Sequence, residues 1–153
     1  MKKIVIIGAG YAGVLTAKRL ENKLKKQDGE ITLINKNTFH TMLTELHEVA
    51  AGRVSEDSIR IELEDVFAHR NVKVEVDEVL SVDFKSKKIF GRHNEYEYDY
   101  VVFGTGCKPT FYDVKGIENI QTLWSYEDAV NLKHHIHDMF RKAKYEQDSV
   151  IRK

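Results

Sequence analysis

The chain has 153 residues, enough for one compact domain with a buried core and too few for two of ordinary size. Its 24 lysines and arginines balance 24 aspartates and glutamates, and neither sign forms a long block, the Lys23, Lys25 and Lys26 cluster being short, which argues against nucleic acid or an acidic partner. The single cysteine, Cys107, excludes an internal disulfide framework and a cysteine-rich zinc module, and it fits a reducing, cytoplasmic setting.

After Met1, Lys2 and Lys3 the apolar run Ile4 to Ile7 ends at Gly8, too short for a signal peptide or a membrane span. Lys3 to Ile7 instead reads as a buried parallel strand, β-branched and covered on both faces. From Tyr11 to about Lys26, Ala12, Leu15, Ala17, Leu20 and Leu24 fall at helical spacing, and the amphipathic helix they predict stops near Asp28 and Gly29. Ile31 to Ile34 is a second buried strand, so the chain opens as strand, helix, strand with a right-handed crossover. A helix is expected over Thr44 to Ala51, closed by Gly52, and another over Ile61 to His69. Val72, Val74 and Val76 alternate as a third strand. Between about residues 78 and 99 the segments Val79 to Phe84, Lys87 to Phe90 and Glu95 to Tyr98 predict a small antiparallel meander. Tyr100 to Gly104 returns to a buried strand. Ser125 caps a last helix running to roughly Lys144, with Asp128 as a weak capping partner. The polar tail from Tyr145 to Lys153 is expected to be partly disordered. The predicted fold is a single Rossmann-like three-layer α/β domain with a parallel sheet and a meander insertion.

The chemistry concentrates in Gly8-Ala9-Gly10-Tyr11-Ala12-Gly13. This GxGxxG sequence follows a strand and opens a helix, the context a dinucleotide-binding loop requires. Gly8 permits the tight turn, Gly10 admits a pyrophosphate against the backbone, and Gly13 lets helix and strand pack closely. The helix start then faces the anion. Taken alone, three glycines could be only a turn; the flanking strands and helix make nucleotide binding the better reading. The fingerprint expects an acid about 20 positions later to grip a ribose diol. Here Asn35 stands instead, able to hydrogen-bond a hydroxyl or merely to end the strand. Lys36 beside it would lie over the adenine or near a 2′-phosphate, although a lysine more commonly lies in solvent. Thr105 and Gly106 follow a strand and so reach the same sheet edge as Gly8. His134, His135 and His137 read as a solvated helix face more readily than as metal ligands, His47-Glu48 lacks the second histidine of HExxH, and Cys107 reads as an inert buried thiol.

Together Lys3 to Gly13, Ile34-Asn35-Lys36-Asn37-Thr38-Phe39-His40, Leu46-His47-Glu48-Val49-Ala50-Ala51-Gly52 and Tyr98-Asp99-Tyr100-Val101-Val102-Phe103-Gly104-Thr105-Gly106 resemble type II NADH dehydrogenase, the single-subunit NADH:quinone oxidoreductase. The resemblance covers nearly the whole chain. It implies that Gly8, Gly10, Ala12 and Gly13 hold the pyrophosphate of FAD, that Asn35 and Lys36 face its adenosine, and that Val79 offers backbone to the adenine. Thr105 and Gly106 approach the flavin side and Thr44 the isoalloxazine. Asn35 departs from the commoner acid. The absence of a CxxxxC pair argues against a disulfide reductase.

Members of this family continue into a second glycine fingerprint for NADH, a Gly-Asp segment that completes the FAD site, and a membrane-binding region. No second GxGxxG follows Gly13, so the chain reads as a truncated FAD-binding domain. The resemblance implies that in the whole enzyme electrons pass from NADH through flavin to quinone, with the cofactor doing the chemistry and no side chain of this chain acting as acid or base. The chain alone is not expected to turn over NADH, and FAD affinity is reduced or lost. An uncovered sheet edge favours self-association. The implied location is the cytoplasm, with the full-length enzyme peripheral on the inner face of the cell membrane. Two alternatives fit the same residues: a sulfide:quinone or ferredoxin reductase relative, and a stand-alone NAD- or FAD-sensing module.

Overall fold

The structure is a computed structural model that describes residues 1–24 and 27–148. In chain order its elements are β1 (Lys2–Ile7), α1 (Tyr11–Lys23), β2 (Gly29–Asn35), β3 (Phe39–Thr41), α2 (Leu46–Ala50), β4 (Arg60–Glu62), α3 (Leu63–Val66), β5 (Val72–Val76), β6 (Val79–Asp83), β7 (Lys88–Gly91), β8 (Glu95–Glu97), β9 (Tyr100–Phe103) and α4 (Tyr126–Tyr145). They group into two compact units. The first is Met1–His40 with Ile61–Cys107; the second is Thr41–Arg60 with the described residues from Lys108 onward.

In the first unit β1 pairs in parallel with β2, from Lys2 opposite Gly29 to Ile7 opposite Ile34, and on its other side with β9. β2 pairs in parallel with β5, which gives the order β5-β2-β1-β9. Side chains alternate across the pleat. Ile6, Ile31, Leu33 and Val72 therefore join Ala17, Leu63 and Phe67 in one cluster, while Val5, Ile7 and Ile34 join Ile89 and Tyr98 in another. A strand buried on both faces needs an unbroken apolar run, which is why β1 and β2 read as they do.

Several elements differ from the sequence reading. The buried strand expected at Tyr100 to Gly104 forms, but at the sheet margin, where Tyr100 and Phe103 are exposed. An apolar tetrad reads alike at the centre and at an edge. Along α1 the buried positions are Gly13 and Ala17, with Val14, Leu20 and Leu24 packed beside them, whereas Ala12 and Leu15 are exposed. The smallest side chains let the helix come closest, so they set the inward face. The helix ends at Lys23 because Leu24 is extended; Lys25 and Lys26 lie outside the described residues, as does the tail after Asp148. In place of a helix over Ile61 to His69, Ile61 lies in β4 and only Leu63–Val66 is α-helical. Leu63 and Phe67 anchor that turn in the core, and His69 stops it in the left-handed region at φ 60.

β6, β7 and β8 form the antiparallel meander. Its attachment point is Asp77, a residue 3% exposed. It accepts from the amides of Glu78 (2.8 Å), Arg92 (2.9 Å), His93 (3.2 Å) and Asn94 (3.1 Å) and from the Tyr96 hydroxyl (3.0 Å). Burial alone would raise the Asp77 pKa, but the Tyr96 hydroxyl and the Asn94, His93 and Glu78 amides outweigh it and hold the carboxyl below its ordinary value. Burial and the same carboxylate push Tyr96 up to about 12.

In the second unit Leu46, Val49 and Ala50 of α2 pack with Ile59 and with Ala129 of α4. The helix expected over Thr44 to Ala51 is split: Leu43–Glu45 is a 3-10 turn and the α-helical part is α2, after which Gly52 turns at φ 68. The capping of α4 is stronger than its sequence suggested. Ser125 Oγ accepts from the Asp128 amide at 3.1 Å, and the Asp128 carboxylate accepts from the Ser125 amide (3.2 Å), the Trp124 amide (2.9 Å) and Thr122 Oγ1 (2.8 Å). Among the described residues no helix is long and apolar enough to cross a membrane.

Two outcomes follow from these polar anchors. The contribution of Asp77 is full above the ordinary carboxylate pKa and is lost as pH falls through the depressed folded value. Thermal melts followed by circular dichroism should thus show Asp77→Asn less stable than the parent at pH 7, with the gap closing in acid. Ser125→Ala should cost about 1 kcal/mol, read as a lower urea midpoint at unchanged slope.

Candidate functional site

Because β5, β2, β1 and β9 run parallel, their carboxyl ends gather along one edge of the sheet. Chain order runs outward from β1 through β2 to β5 on one side and returns to β9 on the other. Open α/β sheets form their ligand crevice at such a reversal. A cleft of about 190 Å³ lies there, lined by Ile7, Gly8, Ile34, Asn35, Lys36, Asp77, Glu78, Val79 and Thr105. It brings together Gly8, Asn35, Lys36, Val79 and Thr105 from the set expected from sequence. A larger open cleft of about 530 Å³ beside β5 is lined by Phe67, Val72, Val74, Val76, Glu62 and Glu64 among others. It has no glycine backbone and lies away from the strand reversal, so the smaller cleft is the candidate.

The three loop glycines divide by what requires them. Gly8 turns at φ 96, and a Cβ there would lie 2.5 Å from the Gly104 carbonyl oxygen. At Gly13 a Cβ would lie 1.8 Å from the Gly8 carbonyl oxygen. The fold forbids side chains at both. Gly10 is different: φ −71 and ψ −174 suit any residue, and a Cβ would meet nothing nearer than the Gly104 oxygen at 4.0 Å. The protein itself leaves that space open, and a group resting directly on the loop backbone fits it. Gly10 is also the N-cap of α1, with no side-chain cap and no acid in the first turn among the described residues. The positive end of the helix dipole is therefore open to an anion such as a pyrophosphate. Ala12 is exposed in the same turn.

Asn35 ends β2 with its side chain half-buried and engaged inside the chain. Its Oδ1 accepts from the Ala9 amide at 2.9 Å and its Nδ2 donates to the Asn37 carbonyl at 2.8 Å. Lys36 is exposed. Glu78 on the cleft wall accepts two hydrogen bonds from the Arg92 guanidinium, from Nε at 3.0 Å and Nη2 at 2.5 Å. Gly106 is exposed with φ 70. Thr44 belongs to the second unit, exposed on its 3-10 turn, where its hydroxyl donates to Glu45 at 3.4 Å. Cys107, expected to be buried, is exposed, since the chain leaves the sheet before reaching it. His134, His135 and His137 are exposed along α4.

Sequence reasoning passed over Gly104, His40, Asp77 and Glu78. Gly104 had a signal: a glycine directly after a strand and before Thr105-Gly106, where a Cβ would come within 3.3 Å of Gly13 N and of the Gly8 and Ile7 oxygens. His40 stood inside the stretch that carries the family resemblance but was given no role, and Asp77 had no signal, because hydrogen bonds to backbone distant in the chain leave no local pattern.

The family model described as pyridine nucleotide-disulphide oxidoreductase matches residues 2–148. The type II NADH:quinone oxidoreductase of Staphylococcus haemolyticus (strain JCSC1435) is 36% identical over 162 residues, covering 98% of this chain and 39% of that protein. The protein of the same description from Staphylococcus aureus (strain NCTC 8325) is 33% identical over 146 residues, 91% of this chain and 35% of that one. Among solved structures, the sulfide:quinone oxidoreductase of the hyperthermophilic bacterium Aquifex aeolicus matches with a TM-score of 0.81 at 25% identity, covering 92% of this chain and 33% of that chain. NDH2 of Plasmodium falciparum in complex with NADH shares the fold, with a TM-score of 0.79 at 19% identity over 97% of this chain and 31% of that one. The chain thus spans between 31% and 39% of the length of these relatives. It belongs to the pyridine nucleotide-disulphide oxidoreductase family.

Proposed function

We propose that this chain is the FAD-binding part of an NADH:quinone oxidoreductase and that its cleft takes the ADP half of the cofactor. The observation that carries the reading is Gly10, a glycine that neither backbone angle nor neighbouring atoms require. The identity to type II NADH:quinone oxidoreductases over almost the whole chain supports the choice of FAD within the family. Gly8, Gly10, Ala12 and Gly13 hold the pyrophosphate by backbone. Lys36 and Asn35 face the adenosine, Val79 meets the adenine, Thr105 and Gly106 lie toward the flavin, and Thr44 toward the isoalloxazine. The bound flavin supplies two-electron transfer between NADH and quinone; the residues of this chain bind and orient it. We place the chain in the cytoplasm as a single FAD-binding domain, and the longer protein at the inner membrane surface. A sulfide:quinone reading has the Aquifex aeolicus fold in its favour but lower identity, 25% against 36%.

Titration of the 153-residue chain with FAD and with ADP, followed by flavin fluorescence and calorimetry, tests this. Gly10→Ala should lose at least about tenfold in affinity, roughly 1.4 kcal/mol, while costing about 1 kcal/mol or less in stability. Gly13→Ala should fail to reach the native fold. Unchanged FAD binding by Gly10→Ala, or a parent chain that binds NAD in place of FAD, would overturn the assignment.

A further inference from the structure

Ala9, at the apex of the glycine loop, is 3% exposed, and both of its backbone polar groups are taken by side chains. Its amide donates to Asn35 Oδ1 at 2.9 Å, and its carbonyl oxygen lies 2.8 Å from His40 Nδ1. A carbonyl only accepts, so Nδ1 carries the proton in this contact. His40 is 7% exposed, and the Tyr11 ring meets it edge-on at 4.8 Å and 83°. Asn35 is oriented with equal definition: Nδ2 donates to the Asn37 carbonyl (2.8 Å) and also lies 3.4 Å from the Phe39 carbonyl. Turning the amide over would set Nδ2 against the Ala9 amide and Oδ1 against two carbonyls. Both clamping residues come from the short segment that leaves β2 and enters β3.

Building on the proposed FAD site, we infer that Asn35 and His40 are positioning residues which hold the two peptide units on either side of the Ala9 Cα, one by its N–H and the other by its C=O, and so aim the Gly10 backbone at the pyrophosphate. Loops that bind anions through the backbone must be held by something else, because the amides that meet the ligand hold nothing until it arrives. Here a side chain from outside the loop grips each end. The role also explains an asparagine where a ribose-binding acid is the usual choice. A carboxylate at position 35 keeps the acceptor for Ala9 but turns its second oxygen toward the Asn37 and Phe39 carbonyls, where an amide donates now. The two readings of residue 35 therefore predict opposite effects of Asn35→Asp.

The test combines nucleotide affinity with hydrogen exchange of the Ala9 and Gly10 amides by NMR, on the 153-residue chain and three variants. Asn35→Asp should bind FAD and ADP about tenfold more weakly, and its Ala9 amide should exchange at least about tenfold faster. His40→Leu should weaken binding similarly, and His40→Asn, which returns a donor near the Nδ1 position, should restore most of it. Should His40→Leu fail to fold, Asn35→Asp and His40→Asn still decide. Equal or tighter binding by Asn35→Asp would make Asn35 a direct ribose contact, and unchanged Ala9 exchange in Asn35→Asp and His40→Leu would remove the clamp. A parent chain that binds neither FAD nor ADP would count against the cofactor site alone, because the exchange rates still report on the clamp.

Discussion

At the carboxyl end of β1 three stretches of backbone meet with no side chain between them. The turn at Gly8, the first turn of α1 at Gly13 and the end of β9 at Gly104 approach so closely that a methyl group on any of them would press on another's main chain. This contact fixes the geometry of the rest. It seats α1 on β1 and β2, puts Gly13 and Ala17 on the buried face of the helix, and draws β9 against β1 with the Gly104 amide donating to the Ile7 carbonyl at 2.8 Å. Close backbone packing of this kind tolerates almost no substitution, since a well-packed interior has little slack.

Around that junction the chain separates rigid supports from a surface left open. Asp77 gathers four amides and a hydroxyl to hold the meander at the end of β5, which sets Glu78 and Val79 on the cleft wall. Asn35 holds the loop from the end of β2. Gly10 stays uncovered, at a helix start free of capping side chains and acids among the described residues. The supports are charged or amide groups whose hydrogen-bonding capacity is spent inside the protein, and the open surface is backbone. An open backbone surface at a helix start suits an anion by shape and dipole.

Much of this was legible in the amino acids. The apolar runs at β1 and β2 could only be strands covered on both faces, and the spacing of Gly8, Gly10 and Gly13 between strand and helix announced the loop. The meander showed through its period of two, and Ser125 marked the start of α4. Other features were hidden for physical reasons. Whether Tyr100–Phe103 lies at the centre or the edge depends on which strand pairs with it, a long-range matter. The inward face of α1 was set by Gly13, which carries no hydrophobicity and so drops out of any apolar count. The segment from Ile61 to His69 has helical spacing, yet pairing of β4 with β3 claims its beginning and the left-handed His69 its end. Asn35 read as a ribose contact or as a strand end, because sequence shows which groups it carries but not that its amide meets Ala9 and Asn37.

The most direct measurement is a map of amide shifts in the ¹⁵N spectrum of the 153-residue chain as ADP is added. The largest changes are expected at Gly8, Gly10, Val79 and Thr105, with Phe67, Val72 and Val74 beside the larger cleft unmoved. Changes centred on that larger cleft, or no response in the glycine loop at saturating nucleotide, would contradict the proposed site.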